Sequence, residues 1–345
     1  MGLLGDVALL LVSFVVILAG AELFTNGIEW LGHKLGLGEG MVGSVLAAVG
    51  TALPETMIPI IAILFVATAE AKEVGIGAIL GAPFMLSTAA MFVTGTAVLV
   101  FSRGGRRNTY LTVNRVILGR DLRFFLGVYI VAMALGLPFF PKPEILRWAA
   151  GIGLIAAYVF YVYRTASDPK SGGDESLNPL HFQRRVTVPQ LRNVLLQVFV
   201  ALAAIVAGAH LFVHEIEVFA HEFGIPALVL SLIIAPLATE LPEKFNSVLW
   251  IRKRKDTLAM GNISGAMVFQ SCIPVAIGVV FTPWVLNEFA IASAVIAIAA
   301  GIMLQIYLRT GAHVTGREML TLGIPYVAYI VWVVAFPHAT VPLLH

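Results

Sequence analysis

Two glutamates occupy matching positions within long apolar stretches of the sequence. Each of Glu55 and Glu243 directly follows a Leu-Pro pair. A carboxylate in hydrocarbon costs several kcal/mol, so each side chain is expected to face a cavity or a partner. The alternative interpretation is a protonated carboxyl that only packs between helices. Because the two glutamates are equivalent, we predict that they jointly hold a positively charged ligand.

Further oxygen atoms accompany the two carboxylates. Thr51 and Thr239 lie four residues before the glutamates, which places them on the same helix face. The proline before each glutamate has no N–H, so in a helix the carbonyl groups of Gly50 and Ala238 lose their usual donor. Two carboxylates, two hydroxyls and two carbonyls form a hard-oxygen set that suits Ca²⁺. No thiolate or histidine adjoins them, so soft metals are less favoured.

Other polar residues in apolar stretches are further candidates. Glu240 lies three residues before Glu243, and two nearby carboxylates favour a proton on one of them. Glu240 could carry an exchanged proton, replace another cation ligand or serve packing alone. Asn262 could orient a glutamate or join helices by a hydrogen bond. Glu22 and His210 lie at equivalent positions in two long helices, where they could form a gate or an interfacial pair.

The elements that must position these residues are membrane-spanning helices. The chain has 345 residues, of which 59% are hydrophobic and 12% are charged, too few charges to cover a soluble protein of this size. The fold class predicted is all-α integral membrane, with ten transmembrane helices arranged as two inverted five-helix repeats. The approximate spans predicted are 7–32, 41–67, 74–100, 121–138, 145–163, 194–220, 226–250, 257–281, 285–308 and 318–336.

The distribution of cations predicts the orientation. Most lysines and arginines fall in loops on one side of the ten spans, whereas Lys72 and Lys142 alone lie in loops on the other. Cationic loops face the cytoplasm, so both termini are predicted to lie outside. The polar segment 165–193 reads as a cytoplasmic linker between a first repeat, 1–164, and a second, 194–345. The single cysteine, Cys272, forbids an internal disulfide.

The two halves of the sequence repeat each other. Residues 17–55 match residues 205–243 without a gap at a shift of 188, and Gly77-x-x-x-Gly81 matches Gly261-x-x-x-Gly265 at a shift of 184. Both glycine pairs predict close helix packing. The four-residue difference is expected in the loop before the third helix of each half. Repeats with an odd number of spans cross the membrane in opposite directions, an architecture typical of secondary transporters.

The paired motifs resemble those of the cation/Ca²⁺ exchanger superfamily, specifically the sodium/calcium exchangers. The family motif Gly-Thr-Ser-Leu-Pro-Glu reads Gly-Thr-Ala-Leu-Pro-Glu at 50–55 and Ala-Thr-Glu-Leu-Pro-Glu at 238–243. The second family motif is echoed by Gly-Asn-Ile-Ser-Gly-Ala-Met at 261–267. The resemblance implies that the two motif glutamates bind Ca²⁺ and that the two motif threonines line the cation sites.

Departures from the family motifs bear on the coupling ion. Ala52 and Glu240 stand where the family has serines that help hold Na⁺, and Pro83 and Met267 stand where it has later Asn or Asp ligands. Several sodium ligands of the family are therefore absent. Transport of a divalent cation stays the expectation, and the coupling ion stays open between Na⁺ and H⁺.

The predicted function is a secondary active antiporter of the inner or plasma membrane that exchanges Ca²⁺ for Na⁺ or H⁺ by alternating access. The alternatives are a proton-coupled exchanger for another cation and a membrane protein that binds a cation without transporting it. An enzyme is not expected, because no nucleophile–histidine set lies within a span. No cofactor, nucleic acid or obligate protein partner is expected; the predicted partners are inorganic cations and the lipid bilayer.

Overall fold

The computed structural model describes residues 2–35, 55–103, 105, 107–166, 178–311 and 313–336, and only the backbone of 166 and 241–246. The described chain is helical apart from one short ribbon. Its helices are α1 (Leu3–Lys34), α2 (Glu55–Val66), α3 (Ala69–Ser87), α4 (Ala89–Ser102), α5 (Arg115–Gly136), α6 (Glu144–Ala166), α7 (Leu191–Phe223), α8 (Ala227–Arg252), α9 (Asp256–Phe281), α10 (Glu288–Thr310), α11 (Gly316–Thr321) and α12 (Ile324–Ala335).

Many of these helices have the length and composition of membrane spans. Within the described residues, seven helical stretches are long and apolar enough to cross a membrane, counting α3 with α4 and α11 with α12 as single stretches. The segment Glu55–Val66 and the first part of α8 are shorter apolar helices. The described part of the chain is therefore helical apart from the short ribbon, and it has the character of a multi-pass membrane protein.

Two helices begin several residues from the approximate starts predicted for their spans, and side-chain caps explain where they begin. The helix predicted from 121 begins at Arg115, because the Asn114 side chain accepts hydrogen bonds from Val116 N and Ile117 N. The helix predicted from 285 begins at Glu288, because the Asn287 side chain accepts from Ala290 N at 2.9 Å. Asparagine at an N-cap satisfies donors that the first turn leaves free.

The long helices α1 and α7 cross at small residues in a locally two-fold arrangement. A β-carbon placed on Gly20 would lie 2.8 Å from Ile205 Cγ1 and 3.1 Å from the carbonyl of Ala201. One placed on Gly208 would lie 2.8 Å from Ile17 Cγ1 and 3.1 Å from the carbonyl of Ser13. The two sets are related by the shift of 188 residues found in the sequence: Ser13 with Ala201, Ile17 with Ile205 and Gly20 with Gly208.

Helices α3 and α8 run side by side with their backbones in close contact. Gly77 faces the carbonyl of Leu228, and Gly81 faces that of Leu232, so any side chain at either glycine would collide with backbone. The Ser231 hydroxyl also donates to the carbonyl of Val74 at 2.7 Å. The prediction that Gly77 and Gly81 allow close packing is confirmed.

A short ribbon joins two connections that are far apart in sequence. Strands β1 (Tyr110–Leu111) and β2 (Val314–Thr315) pair antiparallel, with Tyr110 opposite Thr315. The Tyr110 ring also stacks on His313, with ring centroids 4.1 Å apart. The ribbon therefore holds the connection before α5 to the connection before α11.

Candidate cation site

The first predicted carboxylate, Glu55, is buried at the beginning of the described part of α2. Its side chain is 7% exposed, and its neighbours Thr56 and Ile58 are buried with it. Gly75 of α3 leaves room for Ile63 of α2, so the two helices pack closely about two helical turns after this carboxylate. The structure thus keeps Glu55 inside the protein and away from lipid.

Glu240 is buried more completely than Glu55. It is 1% exposed in α8, one residue after Thr239, which is 4% exposed and donates its hydroxyl to the carbonyl of Ala235 at 3.1 Å. The buried hydroxyl of Tyr326 in α12 lies within electrostatic range of Glu240. Tyr326 packs against Phe84 of α3, with ring centroids 5.0 Å apart. Glu240 therefore belongs to the region where α3, α8 and α12 meet.

Several predicted ligands cannot be placed relative to these carboxylates. Gly50 and Thr51 lie outside the described residues, and so does the side chain of Glu243, although its backbone belongs to α8. Ala238 is half-buried in the same helix. The approach of Glu243 to Glu55 stays a prediction. Among the side chains that are described, no three acidic, histidine or cysteine residues cluster closely enough to hold a metal ion.

Asn262 lies near one end of α9 and lines a cavity. It is half-buried, and the cavity of about 570 Å³ also contacts Gly261, Trp250 and Asp256. The cavity is bounded by the beginning of α5, the end of α8 and the beginning of α9. Asn262 therefore faces an open space near the ends of these helices.

Glu22 and His210 do not form a buried pair. Both side chains are exposed, and Glu22 lies 3.5 Å from Nε2 of His181, the residue at which a short 3₁₀ turn begins. Neither the gate nor a pairing between these two residues receives support from this arrangement.

A third buried carboxylate, Asp121, was missed in the sequence. It is 2% exposed in α5. Its Oδ2 accepts from the Ser264 hydroxyl at 2.8 Å, its Oδ1 accepts from the Tyr161 hydroxyl at 3.0 Å, and Arg120 Nε lies 3.3 Å from Oδ1. Asp121 therefore ties α5 to α6 and to α9, within the segment 261–267. The N-cap at Asn114 was the available signal, because it places Asp121 well inside a helix.

An ion pair fixes the beginning of α9. Arg107 donates to Asp256 Oδ2 at 2.9 Å, to the carbonyl of Ile251 at 2.7 Å and to the carbonyl of Tyr110 at 3.1 Å. The side chains of Arg107 and Asp256 are 4% and 3% exposed. This arginine therefore joins the end of α8, the ribbon and the start of α9.

Comparison with known proteins identifies the family. The model of the family described as sodium/calcium exchanger protein matches residues 6–166 and 193–335, most of the chain. The inner membrane protein YrbG of Escherichia coli is 24% identical over 286 residues, which cover 82% of each chain. The sodium/calcium exchanger MaX1 of Methanosarcina acetivorans is 24% identical over 345 residues, 94% of this chain and 97% of that protein.

Solved structures share the fold. The H⁺/Ca²⁺ exchanger CAX matches with a TM-score of 0.72 at 15% identity, over 95% of this chain and 82% of that one. The sodium-calcium exchanger NCX_Mj matches with a TM-score of 0.57 at 18% identity, over 96% of this chain and 99% of that one. The resemblance that the paired motifs indicated is confirmed: the chain belongs to the sodium/calcium exchanger protein family, a family of membrane transporters.

Proposed function

We propose that this chain is a cation antiporter that exchanges Ca²⁺ for Na⁺ or H⁺ by alternating access. The observation that carries the proposal is the burial of Glu55, in a motif that recurs at Glu243 in the second half of a membrane transporter. A buried carboxylate within membrane helices needs a compensating positive charge. Two of them balance one divalent cation.

The architecture proposed for this transport is ten spans in two inverted repeats, 1–164 and 194–345, joined by the cytoplasmic linker 165–193. The symmetric contacts around Gly20 and Gly208 support it. Each glycine packs against the other helix at residues that correspond by the repeat shift, so the two helices make equivalent contacts where they cross. When each half can adopt the conformation of the other, two states of similar energy follow, and these are the inward-open and outward-open forms.

Coupling follows from electrostatics. Closing an empty site with two ionised carboxylates would bury both charges uncompensated, which costs far more than closing a loaded site. The protein therefore converts between its inward-open and outward-open forms only when cations or protons occupy the site. The flux of one ion then drives the flux of the other. Thr51, Thr239, the carbonyls of Gly50 and Ala238, and Asn262 complete the proposed cation site.

A proton-coupled exchanger for a different cation is the second candidate, and Glu240 favours the proton coupling. Its carboxyl replaces a serine of the family motif and is buried one helical turn before Glu243. Three carboxylates would exceed the charge of one Ca²⁺, so one of them is expected to bind a proton when the others hold the divalent ion. Under this candidate, Glu240 releases or accepts the exchanged proton.

We further propose that the protein lies in the inner or plasma membrane with both termini outside and that it needs no cofactor and no obligate protein partner. The distribution of lysine and arginine supports this orientation. In that orientation the ribbon, the Arg107–Asp256 pair and the cavity beside Asn262 lie at the cytoplasmic surface.

Ion flux in proteoliposomes tests the function. Ca²⁺ uptake should follow an imposed Na⁺ or proton gradient, and running the two gradients separately decides the coupling ion. Glu55→Gln and Glu243→Gln should each abolish uptake, whereas Glu144→Gln, which neutralises an exposed glutamate in the first turn of α6, should not. Uptake like the wild type in both motif variants would refute the assignment. Saturable Ca²⁺ binding without flux would instead indicate a non-transporting binding protein.

A further inference from the structure

Two acidic residues lie in the seam between α1 and α7. The seam consists of buried residues that recur every three or four positions: Asp6, Leu10, Ser13, Ile17, Gly20, Phe24 and Gly27 in α1, and Ala201, Ile205, Gly208, Phe212, Glu215 and Phe219 in α7. This spacing is typical of helices that pack along their length. Asp6 and Glu215 are the charged members of the seam, and both lie toward the end where α1 begins and α7 ends.

The packing of the seam glycines places the two acidic residues opposite each other. Gly208 of α7 packs against the carbonyl of Ser13 of α1, and the crossing contacts make the two helices antiparallel. Asp6 lies seven residues before Ser13, and Glu215 lies seven residues after Gly208. Seven residues are about two helical turns. The two side chains are therefore at the same level of the seam, and Asp6 lies within electrostatic range of Glu215.

Both carboxylates are buried without an ion pair. Asp6 is 8% exposed, and Glu215 is 2% exposed. In the described part of the chain, no lysine, arginine or histidine lies within ion-pair distance of either carboxylate. Glu215 Oε2 is buried, and no described donor reaches it. Two carboxylates that face each other in this way cannot both be ionised without a large cost in free energy.

The other charges around Glu215 lie outside the seam. His214 is exposed, and it and the amino terminus lie within electrostatic range of Glu215. The helices α2 and α8 meet α7 with apolar residues, such as Ile61 of α2. On α3, Glu70 lies 3.0 Å from Nε2 of His221, which is farther along α7. A proton is therefore the compensating charge that fits within the seam.

The position of Asp6 in its helix decides which carboxylate holds this proton. Asp6 lies in the first turn of α1, where free backbone N–H groups favour a negative charge. Glu215 is far from the beginning of α7 and has no such donors. The proton therefore resides on Glu215. A protonated Glu215 is a donor, and the acceptor that α1 places opposite it is the Asp6 carboxylate.

The other end of the same helix pair is held by groups that do not titrate. Gln197 of α7 donates to Asn26 Oδ1 and to the carbonyl of Leu23, each at 2.9 Å. Side-chain amides carry both donors and acceptors and do not depend on a bound proton. One end of the pair is thus joined at any pH, whereas the contact at the other end depends on one proton.

We propose that Asp6 and Glu215 share one proton and that this proton holds the beginning of α1 against the end of α7. Release of the proton to solvent leaves two facing carboxylates, whose repulsion separates these helix ends while the Asn26–Gln197 contact stays. In the orientation proposed above, these ends lie at the outer surface and respond to the external pH. Because separation releases one proton, the ratio of separated to joined molecules changes by up to about tenfold per pH unit.

Distances between spin labels at the two helix ends test this inference. Labels at Leu4→Cys and Phe223→Cys, both exposed positions, report on α1 and α7 in the full chain with Cys272→Ala, which removes the native thiol. In lipid nanodiscs with a chelator, raising the pH from about 5 to about 9 should convert a short distance into a longer one. A distance distribution that does not change with pH would overturn the inference.

Matched variants separate the shared proton from other titrating groups. Glu215→Gln and Asp6→Asn each put an amide donor opposite the remaining carboxylate, so the short distance should persist at every pH. Glu217→Gln removes a carboxylate two residues along α7, where it accepts from Thr68 at 3.0 Å, and should respond to pH as the parent chain does, as should His214→Gln. A response that survives in either of the first two variants, or that either control abolishes, would contradict the proposal. If one of the first two fails to fold, the other decides.

Two further measurements distinguish the proton from other compensating charges. A peptide extension that moves the amino terminus away should leave the pH response intact, and loss of the response would assign the contact to the amino group instead. Adding Ca²⁺ at high pH should leave the helix ends apart. Closure by Ca²⁺ would show that the two carboxylates bind a metal cation and would overturn the shared proton. None of these measurements involves cation flux, so their outcome is independent of the proposed antiport.

Discussion

Replacing Asp121 should uncouple three helices, because its carboxylate is the common acceptor for donors from α6 and α9. In Asp121→Leu, the Ser264 hydroxyl, which is 1% exposed, loses its acceptor across the helix interface. We expect this loss to cost about 1–2 kcal/mol, and the loss of the half-buried Tyr161 contact about 0.5–1 kcal/mol. The partly exposed Arg120 contact at 3.3 Å adds less than about 0.5 kcal/mol. Together, Asp121→Leu should lower the free energy of unfolding by about 2–3 kcal/mol.

Asp121→Asn should be milder, at about 1 kcal/mol, because the amide keeps one oxygen acceptor and a serine or tyrosine hydroxyl can accept from its nitrogen. The measurement is denaturant unfolding in detergent micelles, followed by tryptophan fluorescence. A double-mutant cycle of Asp121→Leu with Ser264→Ala should give a coupling energy of about 1 kcal/mol.

Ser271→Ala is the control for this cycle, since the buried Ser271 hydroxyl donates within α9 to the carbonyl of Val268 at 2.9 Å. Its effect should add to that of Asp121→Leu without coupling. The reasoning is refuted if Ser264 and Asp121 prove additive within about 0.5 kcal/mol, or if Asp121→Leu unfolds like the wild type.

Three further changes have expected outcomes. Gly81→Val should lower the free energy of unfolding by about 3 kcal/mol, because the new side chain collides with the backbone at Leu232. The control Gly127→Ala, whose β-carbon meets no described atom within 4 Å, should not destabilise the protein. Thermal unfolding in micelles compares the two variants. Arg107→Gln should cost about 3–5 kcal/mol in the same assay, since Asp256 stays buried with an uncompensated charge; an effect below about 1 kcal/mol would contradict that account. Glu240→Gln should remove the dependence of Ca²⁺ uptake on an imposed pH gradient, and uptake that still follows that gradient would exclude Glu240 as the proton carrier.

The sequence predicted most of the helices but not the details that end them. Apolar stretches of sufficient length gave the helices at α1, α7 and α9 within a few residues. The exact starts of α5 and α10 depend on single side chains, because Asn114 and Asn287 cap helices whose first residue hydropathy alone does not locate. Capping is a local hydrogen bond, and averages over a whole span do not resolve it.

Of the buried carboxylates, the sequence indicates two and does not indicate the third. Glu55 and Glu240 could be predicted to lie inside the protein, because a motif with a proline and a repeat partner marks the first and its departure from that motif marks the second. Asp121 belongs to no motif and has no repeat partner. It lies between two arginines, so the sequence suggests the edge of a loop. Its role depends on Ser264 and Tyr161, which only the packing of α5 against α6 and α9 brings to it.

The four extra residues of the first repeat are not in the loop where the sequence suggested them. The structure puts one of them in α2, whose last part is a π-helix, Ile61–Val66, a turn that holds one additional residue. The equivalent turns can be aligned at the residue with a positive φ that follows each helix. This residue is Ala67 after α2 and Arg254 after α8. Ala67 lies 12 residues after Glu55, and Arg254 lies 11 after Glu243.

The remaining three residues lengthen the beginning of α3. Gly77 lies ten residues after Ala67, whereas Gly261 lies seven after Arg254. Both connections therefore stay short, because the insertion is taken up as helix and not as loop. The π-helical segment begins six residues after Glu55, so the two repeats differ in backbone geometry within about two helical turns of the proposed cation site. The inward-open and outward-open states of this protein are consequently expected to be related by the repeat only approximately, and to differ in free energy.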